Sequence, residues 1–335
     1  MGHSLQAVSV LVQAAESVLA VPLATRIHEG LVWSNRDKRT LLDKMLALLK
    51  IVDIQQPFYF VADAYYASQK IITGLLDQGN HLVTRVRSNA VAYTPYKHQG
   101  IKKSGRPRLY GKKIALKSLF NDEQAMEQAT SSVYGEKNVI LQYRVCDLLW
   151  RPVGRLVRFV VVIHPTRGRC LLMSTDTSLS AMEIIRLYGL RFKIEHGFKQ
   201  AVRVVGSFSY HFWMKEMKPL QRRNGNQYLH RESSAYRKAV KRKLNAYHVF
   251  IHAGVVSQGL LQYLAASVPK MVWASFGSWL RTIRPGIAPS ELVVATALRH
   301  SLPEFLLNKT QSSIFAKFIV DRQDPDRMEV FRMAS

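Results

Sequence analysis

Two carboxylates stand where they could do chemistry. Asp63 closes the apolar run "PFYFVAD" (57–63), and Glu195 lies within "LYGLRFKIEHGFKQ" (187–200). Read as one helix at about 100° per residue, the second stretch puts Tyr188, Arg191, Glu195 and Lys199 on one stripe. An aromatic hydroxyl, a guanidinium and an ammonium then flank a single acid. That set suits a carboxylate holding a metal ion beside groups that hold phosphate, where an anionic backbone is cut. The plainer readings are an i,i+4 Glu195–Lys199 pair on a solvated face and an Asp63 that N-caps the helix after it. Spacing alone leaves both open.

The elements that must position these residues are legible in outline. Residues 4–12 and 17–28 are rich in β-branched residues and read as a hairpin, the second strand broken at Pro22. Residues 36–50 have helical apolar spacing. The run at 57–63 has the length and content of a buried strand, so Asp63 falls at the carboxyl end of a strand, where open α/β sheets bind ligands. A helix at about 66–78 and a strand "HLVTRV" complete an α/β alternation. Beyond Ser88 the pattern changes. "NVILQYRVCDLLW", "LVRFVVVIH" and "RCLLMSTD" read as strands separated by turns, so 89–178 reads as an all-β insertion. Helical periodicity returns at Ser180 and persists.

Charge narrows the function. The 335 residues hold 48 Lys and Arg against 23 Asp and Glu, a net +25. Self-repulsion on this scale usually serves a partner, and phosphate neutralisation makes nucleic acid the first candidate. Residues 99–118 carry seven basic residues and no acid; 214–243 carry ten basic residues and two Glu. Lys102, Lys103, Arg106, Arg108, Lys112 and Lys113 from the first segment are candidate DNA contacts. So are Arg222, Arg223, Arg237, Lys238, Lys241, Arg242 and Lys243 from the second. Two cysteines without a C-x-x-C exclude a cysteine-based zinc site and fit a reducing compartment. "HEG" at 28–30 lacks the second histidine of a zincin. The apolar stretch from Ala246 is punctuated by His248, His252, Gln258 and Gln262, which suits a buried or amphipathic helix better than a membrane span. Trp150 reads as core before stacking platform, and Trp273 and Trp279 as core.

"FYFVADAYYASQKII" and "STDTSLSAMEIIRLYGLRFKIEHGFKQ" together resemble DDE transposases of bacterial insertion sequences, in the subgroup with a Tyr-x-x-Arg-x-x-x-Glu signature. "GRPRLYGKK", "SYHFWMKEMKP" and "FGSWLRTIRPG" extend the similarity over nearly the whole chain. The resemblance implies an RNase H-like core interrupted by a β insertion. It makes Asp63 the second catalytic acid and Glu195 the third, with Tyr188 and Arg191 matching the signature. Where the signature continues to a lysine this chain has Val202, and Lys199 is one substitute cation. The implied chemistry is Mg²⁺- or Mn²⁺-dependent cleavage of the element's ends, then attack of the freed 3′ hydroxyl on target DNA.

The family's first acid ends a strand that precedes the hairpin. The resemblance therefore makes this chain an N-terminally truncated transposase, inactive alone because its first catalytic Asp is absent. The expected architecture is α/β, an RNase H-like core lacking its first strand. It comprises 1–88 and 179–215, interrupted by the insertion at 89–178 and followed by a basic helical region at 216–335. The expected partners are transposon-end and target DNA, with room for a homodimer on DNA and no membrane, in the cytoplasm at the nucleoid. The competing expectation is a catalytically inactive DNA-binding protein that inhibits an intact transposase. A structural RNA-binding protein would explain the charge but not the two acidic motifs.

Overall fold

The computed structural model describes residues 4–14, 16–28, 31–96, 108–121, 125–131, 133, 135–136, 138–209, 227–277, 282–284 and 286–322. The chain is mixed α/β and divides into two compact units. The first comprises Met1–Val8, Arg26–Glu195 and Glu216–Ala239; the second comprises Ser9–Thr25, His196–Lys215 and Val240–Ser335. The predicted hairpin is present as β1 (Ser4–Ala14) and β2 (Ser17–His28), which form a two-stranded sheet. Pro22 does not break β2. Each strand of a two-stranded ribbon has one edge outside the ladder, where a missing N–H costs little.

The first unit contains β3 (Leu31–Val32), α1 (Leu41–Val52), β4 (Tyr59–Ala62), α2 (Gln69–Leu76) and β5 (His81–Arg85). Next come β6 (Val91–Pro95), β7 (Tyr110–Ala115), β8 (Glu127–Thr130), β9 (Ile140–Trp150), β10 (Arg155–His164), β11 (Gly168–Ser174) and α3 (Ala181–Leu190). One eight-stranded sheet runs β4-β5-β11-β10-β9-β6-β7, with β8 paired to β9. β4 and β5 are parallel, Ala62 opposite Thr84. β11 joins β5 antiparallel, Leu172 opposite Arg85.

The strand-rich stretch expected at 89–178 is therefore not a sheet of its own. It extends the sheet begun by β4 and β5, because the second edge of β5 carries backbone groups that need partners. At the other end β4 is the edge strand, and among the described residues β1 and β2 pair only with each other.

Both faces of β5 are covered, by α2 and by α3, and Leu82, Val83 and Thr84 are fully buried. The run at 57–63, expected to be a buried strand, is instead the edge strand β4, and only its Ala62 is buried. α3 crosses the sheet and seals a core of Val83, Val160, Val162, Leu172, Ile184 and Ile185. Its start is fixed by a capping box, the Ser180 and Glu183 side chains each bonding the other's backbone N–H. Trp150 is buried, as core.

α4 (Phe192–Gln200) follows, then β12 (Gln227–Tyr228), which pairs parallel with β3. The second unit is built around α5 (Ser234–Ser267), α6 (Pro269–Phe276), α7 (Glu291–Lys309) and α8 (Ser313–Val320). Its core joins Leu261 and Ala265 of α5 to Trp273, Phe276, Val293 and Val294. Buried amides tie it further. Gln258 Nε2 donates to the Gly197 carbonyl (2.8 Å), and Gln262 Nε2 donates to Glu291 Oε1 (2.9 Å). Gly254 is required in α5, since a Cβ there would meet the Ser207 side chain. By length and composition α5 is the one candidate membrane span among the described residues. Its buried residues, including Val240, Leu244, Ile251, Gly254 and Val255, mark one packed face, as its polar punctuation predicts. Trp279 lies outside the described residues.

Candidate active site

The carboxyl end of β4 carries Asp63 in extended backbone (φ −77°, ψ 175°). Its Oδ1 accepts from the Tyr65 N–H (2.9 Å), and Thr84 Oγ1 donates to its carbonyl (2.8 Å). Asp63 is thus an N-cap, but of a single 3₁₀ turn, Ala64–Tyr66; Ser68 caps α2. Capping occupies one carboxylate oxygen. The side chain is exposed, and Oδ2 has no hydrogen-bond partner among the described residues.

The stretch 187–200 is two helices rather than the single one expected. The Arg191 N–H bonds the Tyr188 carbonyl, and the Ile194 N–H the Arg191 carbonyl (both 3.2 Å). These i→i+3 bonds tighten the chain at Arg191. Gly189 sits just upstream, where a Cβ would press into the Val133 side chain, and glycine has low helix propensity. The stripe survives across the break. Arg191 Nη2 pairs with Glu195 Oε1 at 2.7 Å, and the guanidinium carbon lies 5.8 Å from the centre of the Tyr188 ring. Glu195 therefore forms its i,i+4 pair toward Arg191, not toward Lys199. Lys199 is exposed in the last turn of α4 and belongs to the second unit.

The electrostatics join the two acids through one cation. Burial works against the Arg191 charge, but Glu195 outweighs it by hydrogen bond and charge, and Tyr188 and Asp63 add to it. The guanidinium is held above its ordinary pKa and senses both carboxylates. Burial pushes the half-buried Tyr188 phenol up, against the opposing pull of Arg191 and Arg85. The alternation of the strands agrees. Val61 and Tyr188 both pack on the core beneath α3, and Asp63, two residues after Val61, returns to that face. Asp63, Tyr188, Arg191 and Glu195 all lie in the first unit.

Two outer contacts hold this arrangement. Arg158 donates to both Asp147 oxygens (2.8 and 2.7 Å) and to the Leu179 carbonyl (3.0 Å), fixing the loop that enters α3. Tyr59, at the start of β4, donates to Asp176 Oδ2 (2.6 Å), while Ser178 bonds Oδ1. Burial opposes the Asp176 charge, yet the hydrogen bonds from Ser178 and Tyr59 bring its pKa down to about 2. Sequence reasoning did not single out Arg85, the last residue of β5. Its signal was there: the adjacent strands "YFVA" and "HLVTR" lead into, or end in, an acid and a base.

Asp63 and Glu195 offer hard oxygen atoms, the donor type that Mg²⁺ and Mn²⁺ select. No group of three or more His, Cys, Asp or Glu suited to a metal occurs among the described residues. Of the expected DNA contacts, Arg108, Lys112, Lys113, Lys238, Lys241 and Arg242 are exposed, and Arg237 and Lys243 are partly buried. Lys102, Lys103, Arg106, Arg222 and Arg223 lie outside the described residues.

A family model described as the transposase DDE domain matches residues 30–211, more than half of the chain. No curated protein matches it.

Proposed function

The chain belongs to the transposase DDE-domain family, and we propose that it works in DNA transposition with Asp63 and Glu195 as its metal-holding acids. The observation that carries this is a shared core: Val61, two residues before Asp63, packs on the same cluster as Tyr188, whose ring lies 5.8 Å from the Arg191 guanidinium that pairs with Glu195 at 2.7 Å. We read the unit around β4, β5 and α3 as RNase H-like, the stretch 89–178 as its insertion, and 216–335 as a basic helical region.

Mg²⁺ or Mn²⁺ would be held by Asp63 Oδ2 and Glu195, and when bound supplies polarisation of a phosphodiester and of the oxygen attacking it. The residues of the chain do the rest. Arg191 orients Glu195 and neutralises part of its charge before DNA arrives. Tyr188, anchored in the core, supports the Arg191 guanidinium. The basic segments, among them Lys112, Lys113, Lys238, Lys241 and Arg242, hold the DNA backbone, and Lys199 supplies a further phosphate contact. The work site is the nucleoid in the cytoplasm.

A specific observation favours a second reading. Two ions are normally shared among about three carboxylates, and among the described residues no group of three or more His, Cys, Asp or Glu suits a metal. The alternative is a DNA-binding protein without cleavage of its own, able to inhibit an intact transposase by pairing with it.

One experiment separates them. Supercoiled plasmid carrying the genomic DNA from both sides of the coding frame is incubated with the protein and Mg²⁺ or Mn²⁺. Nicking that Asp63→Asn and Glu195→Gln abolish, with DNA binding intact, supports the enzyme. Binding without nicking supports the inhibitor, and absence of DNA binding overturns both.

A further inference from the structure

The site contains a second guanidinium beside Asp63. In β4 and β5, Val61 and Val83 both pack into the core beneath α3. Side chains two residues apart in a strand share a face. Asp63 and Arg85 therefore both return to the face that α3 covers. The parallel register pairs Ala62 with Thr84, so Asp63 and Arg85 follow at the same level on neighbouring strands, which lie about 4.8 Å apart. The third strand agrees independently: Leu172, opposite Arg85 on β11, packs into the same core. Thr84 Oγ1 bonds the Asp63 carbonyl and locks this level of the sheet. The charge of Arg85 reaches Tyr188 and Cys170, both packed on that core.

What Arg85 does not do is informative. Arg158 is engaged by Asp147 and Leu179, and Arg191 by Glu195. Arg85 is exposed and forms no ion pair among the described residues, although an exposed carboxylate lies one strand away. Asp63 has already turned Oδ1 toward the Tyr65 N–H. A planar fork of donors left unpaired at the rim of an acidic site matches the geometry of a phosphate that arrives with the substrate.

We propose that Arg85 grips a DNA backbone phosphate adjacent to the one that Asp63 and Glu195 face, setting where the strand lies relative to the two acids. This rests on the reading of the protein as a DNA-acting transposase. It adds a residue that touches substrate, on β5, to the set on β4, α3 and α4.

The test is binding of a 30-base-pair fluorescent duplex by anisotropy across about 50 to 200 mM salt. Loss of one phosphate contact lowers the slope of log affinity against log salt by about one. Arg85→Ala should show that drop, with affinity at the lower salt reduced roughly three- to tenfold. Arg85→Lys keeps the point charge and should restore the slope while recovering affinity only in part. As a measurement without substitution, phenylglyoxal should modify Arg85 in the free protein and be blocked by duplex. Unchanged slope and affinity in Arg85→Ala, or equal labelling of Arg85 with and without duplex, overturns the proposal. If the unsubstituted protein itself fails to bind duplex, the underlying DNA-binding reading fails instead.

Discussion

Two arginine–carboxylate pairs in the first unit do different work. Arg158 and Asp147 face each other across β9 and β10, and the guanidinium meets both carboxylate oxygens and a third acceptor, the Leu179 carbonyl. Arg191 and Glu195 share one contact, Nη2 to Oε1, and about half of the Glu195 side chain is open to solvent. The first pair has every strong acceptor engaged and can only hold the fold. The second leaves Glu195 Oε2 without a partner among the described residues. The role proposed for Glu195 needs a free carboxylate oxygen, which Glu195 has among the described residues and Asp147 lacks. Asp176, with both oxygens bonded by Tyr59 and Ser178, belongs with Asp147 by this criterion.

The comparison predicts stability effects of different size. Asp147→Ala should have the largest. It strands a guanidinium with 20% of its side chain exposed and loosens the entry to α3, so urea denaturation should show a loss of about 2 kcal/mol. A loss as small as that at Glu195 would break the distinction.

Asp176 should act next, through pH. Its folded pKa, about 2, is depressed from the ordinary 3.8, so its contribution is fully present above about pH 4 and is lost as pH falls through about 2. The change should be on the order of 1 kcal/mol, tempered by partial solvent screening. Tyr59→Phe should flatten that part of the stability profile; an unaltered profile would detach Tyr59 from it.

The smallest effect is expected at Arg191 and Glu195. A double-mutant cycle with alanine should give a coupling of about 0.3–0.5 kcal/mol, the usual worth of an i,i+4 pair near the surface. A coupling as large as that of Arg158 with Asp147 would make Glu195 a structural residue too.

The period-2 and buried-run patterns located β4, β5, β9, β10 and β11 to within a few residues, because apolar β-branched runs bounded by turn residues have few other uses. The stripe Tyr188–Arg191–Glu195 was also legible, since the geometry is local to one stretch of helix. The break at Arg191 was not. Just upstream of it a Cβ at Gly189 would press into Val133, a residue 56 positions away that no local pattern could place there. β6, β7 and β8 were missed because they are short or polar, and are strands through their ladder partners rather than their own propensity.

The sequence by itself therefore determined the large positive charge, the stripe around Glu195 and the strands of the sheet's centre, because these rest on residue chemistry and local periodicity. Tertiary structure alone decided that strands within 89–178 share a sheet with β4 and β5 and that Arg191, not Lys199, pairs with Glu195. It also decided that Arg85 stands level with Asp63. Strand order and register arise from backbone pairing between distant segments, and no local pattern encodes them.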